Sequence, residues 1–158
     1  MIKITKPLLQ KALIAGFFSA FTIGVLTVLT YKSTLGYFIA ASFGSSMVLL
    51  FGFPESPFAQ PKNVFFGHLV TALVGVIFVN YIPLSIYISI AIAVGAGVFL
   101  MILFNIVHPP AGGNPIIVII GSASYDYLIN PIIFGCIIIL LLAIIINKYL
   151  LKKNYPLK

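Results

Sequence analysis

Charged residues are scarce in this chain of 158 residues. They make up 7% of it, the only acids are Glu55 and Asp126, and the mean hydropathy is +1.21. An ordinary soluble domain is about a quarter charged, so this chain cannot cover itself with a water-facing surface. The scarcity excludes an ordinary soluble protein and predicts an integral membrane protein in contact with a lipid bilayer.

Cysteine is almost absent as well, and the single Cys136 excludes an intramolecular disulfide. The chain has no recognisable Ser/His/Asp spacing, no phosphate-binding loop and no cluster of metal ligands. We therefore expect neither an enzyme nor a metal or cofactor site.

Arginine is missing too, so lysine supplies all nine basic residues and the net charge of +7. In a soluble protein this charge would suggest nucleic acid, but here the lysines lie mostly at the two ends. Cytoplasmic flanks of membrane helices are enriched in Lys and Arg. We therefore expect no nucleic acid, two cytoplasmic termini and an even number of crossings. The end lysines are Lys3, Lys6, Lys11, Lys148, Lys152, Lys153 and Lys158.

Four apolar stretches are long enough to cross the roughly 30 Å hydrocarbon core of a bilayer. They run roughly from Lys11 to Thr30, Phe65 to Tyr81, Leu84 to Asn105 and Pro131 to Leu151. The second and third are joined by the short "NYIPLS", which predicts a tight hairpin. The expected fold is therefore all-α and polytopic, with four full transmembrane helices.

Two other apolar stretches are interrupted. "YFIAASFGSSMVLLFGF" has a small polar cluster in its middle, and "NIVHPPAGGNPIIVIIGS" contains paired prolines and paired glycines. They resemble one another, since "GSSMVLLFG" aligns with "GNPIIVIIG". We predict a single membrane domain over residues 1–158 with two pseudo-repeats, about 11–82 and 84–151, each holding one short interrupted or re-entrant helix.

The interrupted stretches allow two topologies. If each short helix enters the membrane and returns, the chain has four spans and its halves are parallel. If each completes a crossing with its flanking coil, the chain has six spans and its halves are inverted. The sequence leaves both open.

The second interruption predicts a helix that restarts within the membrane. Pro109 and Pro110 cannot lie inside a regular helix, whereas Asn114 suits a helix N-cap and Pro115 a first helical position. A helix N-terminus carries partial positive charge and unpaired amides, which suit a small anion. We predict that two such N-termini form an anion site, the alternative being glycine contacts in a tight bundle. The predicted site residues are Ser42, Gly44, Ser45, Ser46, Gly112, Gly113 and Asn114.

The two histidines complete the predicted pathway. His68 lies one turn into its helix and His108 lies at the interruption. Ionisable residues within the membrane are functional candidates, and a histidine can donate to an anion or relay a proton. The alternatives are histidines satisfied by backbone groups, or a pair that ligates haem.

The loop "FPESPFAQPKN" has three prolines, Pro54, Pro57 and Pro61. Its polar residues Glu55, Gln60 and Asn63 are candidates for proton transfer or gating. Glu55 could pair with Lys62 or His68, and the alternative is a stiff solvent loop with a surface carboxylate. Asp126 is expected to be an ordinary loop acid.

Several motifs occur together and in order: "ASFGSSMVLLF", "PESPFAQPKN", "GHLVTALVG" and "HPPAGG". On these the chain resembles the HPP family of small integral membrane proteins. The resemblance implies four transmembrane helices and, from plastid and cyanobacterial relatives, nitrite transport. The chain has no plastid-type extension, so we expect a prokaryotic plasma membrane. The matching positions are Ser42, Gly44, Ser46, Pro54, Glu55, Ser56, Pro57, Gln60, Pro61, Asn63, Gly67, His68, His108, Pro109, Pro110, Ala111 and Gly112.

The residues alone predict a membrane transporter or channel for a small anion or polar solute, and the resemblance adds nitrite as that anion. We expect a homo-oligomer, since four thin spans enclose little space. A non-transporting scaffold or assembly subunit is the alternative from another class, and a haem- or quinone-binding redox subunit is a third.

Overall fold

The structure, a computed structural model, describes residues 4–34 and 36–157, and these residues form helices and connecting segments without a strand. This confirms the predicted all-α class. Lys3 and Lys158, which counted above toward the charge of the two ends, lie outside the described residues.

Four helices are long and apolar enough to cross a membrane, as predicted. They are α1 (Lys6–Lys32), α3 (Pro61–Tyr81), α4 (Ile86–Leu103) and α6 (Leu128–Leu150). The link between α3 and α4 is only residues 82–85, which confirms the tight hairpin.

Three of these helices begin earlier than the apolar pattern predicts, because polar residues and proline can form a first turn. Thr5 caps α1, since its hydroxyl accepts from the Leu8 amide at 3.4 Å. Pro61 occupies the start of α3, where its missing amide costs nothing. In α6, Pro131 lies within an initial π-helical segment, Leu128–Gly135.

The two interrupted stretches form short helices. Helix α2 (Ala41–Gly52) begins as an α-helix and ends in the π-helical turn Val48–Gly52. Helix α5 (Pro109–Ile120) begins as the 3₁₀ segment Pro109–Gly113 and continues as an α-helix. Twelve residues at 1.5 Å each span about 18 Å, which is too short to cross the hydrocarbon core alone.

A non-helical segment before α2 continues the path of this short helix along α1. The Phe38 amide donates to the Thr30 hydroxyl at 2.9 Å near the end of α1, whereas the Lys11 ammonium lies 4.1 Å from the Phe53 ring centroid near its start. Residues 38–53 therefore run antiparallel to α1 over most of its length. Five non-helical residues precede α2 and cover the part of this distance that the short helix does not.

Helix α5 is lengthened in the same way. Its preceding segment packs near the start of α3, where a Cβ on Gly67 would lie 3.1 Å from the Ile106 carbonyl oxygen. At the other end, Ser122 lines one pocket with Phe78 and Ile82, near the end of α3. Residues 106–122 therefore run parallel to α3.

The chain passes between the two faces of the bundle six times. Four of these passages are the long helices that the family resemblance implies, and each of the other two is a short helix with its preceding segment, which we call a broken crossing. Each half has the order long helix, broken crossing, long helix, and the halves run in opposite directions, which is the inverted arrangement. The residue-by-residue correspondence of the pseudo-repeats stays a prediction. Among the described lysines only Lys32 lies at the opposite face. The others define what we call the lysine face: Lys6, Lys11, Lys62, Lys148, Lys152 and Lys153.

Helix α3 is the centre of the bundle, because it packs against α4, α5 and α6. The main apolar core joins α2 to α6 through residues such as Phe43, Leu50 and Ile139, all fully buried. Side chains such as Phe17 and Phe99 are more than half exposed on the outer surface, as expected for groups that face lipid. Both broken crossings are thus held against one central helix.

Candidate functional site

Five polar side chains meet where the two broken crossings approach α3. We call Ser42, Ser46, His68, His108 and Asn114 the histidine cluster. All five are buried, and every one except Ser42 has no exposed surface at all. A buried polar group is costly unless it is hydrogen-bonded, so the contacts within this cluster matter for the fold.

The local structure of each element directs these side chains inward. Ser42 and Ser46 are four residues apart on α2 and therefore share one face of the helix. His68 lies on the inner face of α3. His108 is the last extended residue before α5, with φ −134° and ψ 97°, and Asn114 begins the α-helical part of α5.

The Ser46 hydroxyl lies at the centre of the cluster. Its Oγ is 3.0 Å from Nε2 of His68 and 2.8 Å from Nε2 of His108. It is also 3.1 Å from the Ser42 carbonyl oxygen. One hydroxyl therefore links α2, α3 and the segment before α5.

The hydrogen-bond partner of His108 determines which of its two ring nitrogens carries the proton. His108 Nδ1 lies 2.7 Å from the Phe58 carbonyl oxygen, which can only accept, so Nδ1 is the protonated nitrogen. Nε2 of His108 then accepts from Ser46. The local backbone, and not a charged residue, sets this tautomer.

Asn114 sets the tautomer of the other histidine. Its Nδ2 donates to the His68 carbonyl oxygen at 3.1 Å, which fixes the orientation of the amide. The same nitrogen lies 3.0 Å from Nδ1 of His68, which must then accept, so Nε2 carries the proton and donates to Ser46. The result is a directed chain of hydrogen bonds from Asn114 through His68, Ser46 and His108 to Phe58.

Close backbone approach makes this arrangement possible. A Cβ on Gly67 would lie 2.9 Å from the His108 Cβ, a distance that real Cβ contacts do not show. A Cβ on Gly75 would similarly lie 2.8 Å from the Val118 Cβ. These glycines let the second broken crossing lie directly against α3.

The predicted glycines of the two interruptions lie outside the cluster. Gly44 and Ser45 are exposed, and the Ser45 hydroxyl donates to the Ser42 carbonyl oxygen at 2.9 Å. Gly112 and Gly113 are half-buried, and a Cβ on either would meet nothing within 4 Å. Of the predicted pathway residues, the structure brings together the two histidines, Ser42, Ser46 and Asn114 only.

The prediction of unpaired backbone amides at the start of α5 is wrong, because these amides are either absent or already hydrogen-bonded. Pro109 and Pro110 have no amide hydrogen, and the Ala111 amide already donates to the His108 carbonyl oxygen at 2.9 Å. Gly112 and Gly113 lie within 3₁₀ turns, whose amides bond three residues back. Pro115 is buried in the helix that follows. Side chains, and not backbone amides, therefore supply the donors at this site.

The proline-rich loop acts as a rigid support. Gln60 Nε2 donates to the carbonyl oxygens of Pro54 at 3.0 Å and Ser56 at 2.8 Å, and Asn63 Nδ2 donates to that of Pro57 at 2.9 Å. These bonds hold the short 3₁₀ turn that presents the Phe58 carbonyl to His108. In this structure Gln60 and Asn63 stabilise the loop and do not reach the cluster.

Glu55 does not pair with His68, because it is exposed while His68 is fully buried. Its electrostatic neighbour is Lys153. Burial lowers the pKa of Lys153, and the nearby Glu55 carboxylate partly offsets that shift. Asp126 is exposed and lies 3.4 Å from the Ser124 hydroxyl in its own loop.

Two supporting residues were not singled out from the sequence. The Thr71 hydroxyl, one turn after His68, accepts from Asn114 Nδ2 at 3.0 Å and donates to the Gly67 carbonyl oxygen at 2.8 Å. The Tyr155 hydroxyl donates to the Ala59 carbonyl oxygen at 2.9 Å, and burial raises the pKa of this phenol. The spacing of Thr71 from His68 was an available signal, whereas the contact of Tyr155 spans 96 residues.

The geometry does not fit the haem alternative. The ring centroids of His68 and His108 are 4.9 Å apart, and both Nε2 atoms bond the same Ser46 hydroxyl. No space for a macrocycle remains between the two rings.

These features define a class: a polytopic α-helical membrane protein in which two broken crossings meet at a closed, uncharged polar cluster. The family model described as "HPP, transmembrane region" matches residues 4–156. The chain therefore belongs to the HPP family.

The chain is similar to two transmembrane proteins of Dictyostelium discoideum. It is 33% identical to one over an alignment of 143 residues, and this alignment covers 84% of this chain and 50% of the relative. It is 34% identical to the other over an alignment of 142 residues, and this alignment covers 84% of this chain and 46% of the relative. The chain thus spans about half the length of these relatives. No solved structure matches it.

Proposed function

We propose that this protein transports a small inorganic anion across the membrane, and that nitrite is the substrate to test first. The observation that carries the proposal is the buried Ser46 hydroxyl, bonded to an imidazole from each half of the chain at 3.0 and 2.8 Å. The association of the HPP family with nitrite supplies the name of the anion.

The donors of the cluster suit a weakly held anion. Parting of α2 and α5 from α3 would release the His68 N–H, the Ser46 hydroxyl and the Asn114 amide from one another. A small anion could accept all three bonds in their place. None of the lysines that the structure describes reaches the cluster, and a site built of dipoles holds an ion loosely enough to let it leave.

The two halves also suit alternating access. Ser46 and His68 belong to the first half, whereas His108 and Asn114 belong to the second. Sites between inverted halves, next to discontinuous helices, are the usual substrate sites of secondary transporters. In this proposal the structure is the closed conformer, and rocking of one half opens the cluster.

Uptake of nitrite by proteoliposomes tests this function. Wild-type protein is expected to give a flux above that of empty liposomes, and unlabelled nitrite should compete. His108→Ala removes the hydrogen bond from the cluster to the Phe58 carbonyl oxygen and should reduce the flux strongly. Equal flux from wild type, His108→Ala and empty liposomes would exclude the proposal.

We further propose that the lysine face is cytoplasmic, because it carries all described lysines except Lys32. A Cys136→Ala background allows single cysteines to be placed at Glu55 and Asp126. An impermeant thiol reagent on whole cells should label position 126 and spare position 55. The reverse pattern would place the termini outside.

A homo-oligomer also forms part of the proposal. Gly95 is exposed on α4, and small residues allow close contact between membrane helices. In the same Cys136→Ala background, Gly95→Cys should form a cross-linked dimer in membranes. Its absence, together with a monomeric mass in mild detergent, would refute the oligomer.

A non-transporting scaffold is the second candidate, since every ring nitrogen of the cluster already has a partner inside the protein. This function predicts no flux with any anion and a stable partner that co-purifies from membranes. The uptake assay separates the two candidates.

A further inference from the structure

Two open grooves flank the start of α1 at the lysine face, and Lys11 borders both. Neither groove is lined by a residue of the histidine cluster. The first, about 380 Å³, lies between α1 and α2. The second, about 420 Å³, lies between α1 and the chain after α6. The transport proposal uses neither groove.

The first groove has the shape of a channel for one hydrocarbon chain. Along α1 it extends from Leu8 to Ser19, a length of about 16 Å at 1.5 Å per residue. One leaflet is half of the roughly 30 Å hydrocarbon core, so the groove matches its depth. Gly16 and Gly52 leave it open, because a Cβ on either would meet nothing within 4 Å.

The second groove adds a second positive charge beside the first. Gln10 and Lys11 form one wall, and Leu151 and Lys153 form the other. Burial lowers the pKa of Lys153, Glu55 partly offsets that shift, and Lys11 lowers the pKa further, as expected for a neighbouring cation. Glu55 is the only acid on this face, since Asp126 lies in the loop before α6 at the opposite one.

We propose that this region binds one anionic phospholipid, with its phosphate between Lys11 and Lys153 and an acyl chain in the groove from Leu8 to Ser19. A free phosphate would use the lysines alone, and a neutral lipid would use the apolar groove alone. Lys11 borders both grooves, so one ligand with a phosphate and an acyl chain can use the positive charge and the apolar groove together. Basic pockets between membrane helices bind acidic head groups in the same way. The proposal stands independently of transport.

Titration of purified protein in detergent tests the site, with bound lipid counted by native mass spectrometry. The probes are phosphatidylglycerol, phosphatidylcholine of the same chain length, and inorganic phosphate. Phosphatidylglycerol should bind at least fivefold more tightly than phosphatidylcholine. Each of Lys11→Gln and Lys153→Gln should weaken its binding about fivefold, whereas Lys32→Gln on the opposite face should not.

A variant whose side chain fills the groove distinguishes binding of a lipid from binding of free phosphate. Gly16→Leu places a side chain in the groove without a clash and should weaken phosphatidylglycerol binding. Gly24→Leu, the same change two turns later in an equally open position, serves as the matched control. Equal affinity for the two lipids on wild-type protein would overturn the proposal. The proposal would also be overturned if Gly16→Leu left phosphatidylglycerol binding unchanged and inorganic phosphate competed fully for the site.

Discussion

Replacing Ser46 by alanine tests the central contact of the fold. The change removes one buried oxygen and with it two bonds between separate elements, to Nε2 of His68 and to Nε2 of His108. Both nitrogens stay buried and lose their partner. Ser45 is the matched control, because it is the neighbouring serine, is exposed, and bonds only within α2.

The expected magnitude follows from hydrogen bonds measured inside membranes. Such bonds contribute about 0.6 kcal/mol on average and about 1.7 kcal/mol at most, because the unfolded chain in the membrane also finds partners. Two of them give about 1.2 to 3.4 kcal/mol for Ser46→Ala. Ser45→Ala should change stability by less than about 0.5 kcal/mol, as surface substitutions do.

Reversible unfolding by sodium dodecyl sulfate in mixed micelles, followed by circular dichroism, measures both free energies. The two variants should differ by at least about 0.7 kcal/mol. If Ser45→Ala and Ser46→Ala unfold at the same detergent fraction, the hydroxyl does not link the broken crossings and the reasoning is refuted.

Two further predictions concern packing and the support of the loop. Gly67→Ala should lower the free energy of unfolding by about 1–3 kcal/mol through its clash with His108, whereas Gly44→Ala, in open space on a helix, should be neutral or slightly stabilising in the same titration. Equal effects would contradict the close approach at Gly67. Tyr155→Phe should cost about 1 kcal/mol at neutral pH, because it removes the bond to the Ala59 carbonyl oxygen. Because the folded pKa of Tyr155 is raised above 10.0, the unfolded chain releases this proton first, so wild-type stability should fall as pH rises past about 10. The variant should lack that part of the fall, and parallel curves for the two proteins would contradict a buried phenol.

Hydropathy and helix-breaking residues made most of the fold predictable. The four long helices follow from apolar length, and Pro109 with Pro110 marks the second interruption because proline cannot continue a helix. The number of crossings could not be predicted. It depends on whether the extended residues before α2 and α5 lie within the membrane, and neither their length nor their hydropathy decides that.

The candidate site was predictable by residue type but not by contact. Histidine, serine and asparagine inside an apolar chain indicated Ser46, His68, His108 and Asn114, since buried polar groups need partners. Their pairing spans 22 to 62 residues along the chain and depends on how the broken crossings pack on α3. The expected glycine amides were replaced by side-chain donors because proline and 3₁₀ turns leave the first turn of α5 without free amides.

The most direct test of the transport proposal is the nitrite flux of Ser46→Ala and Ser45→Ala proteoliposomes, each normalised to the amount of folded protein. Hydrogen bonds to charged groups contribute about 1.5–3 kcal/mol, so loss of the Ser46 donor should reduce the flux about tenfold or more. Ser45→Ala should match wild type. A wild-type flux that both variants retain in full would contradict passage of the anion through the histidine cluster.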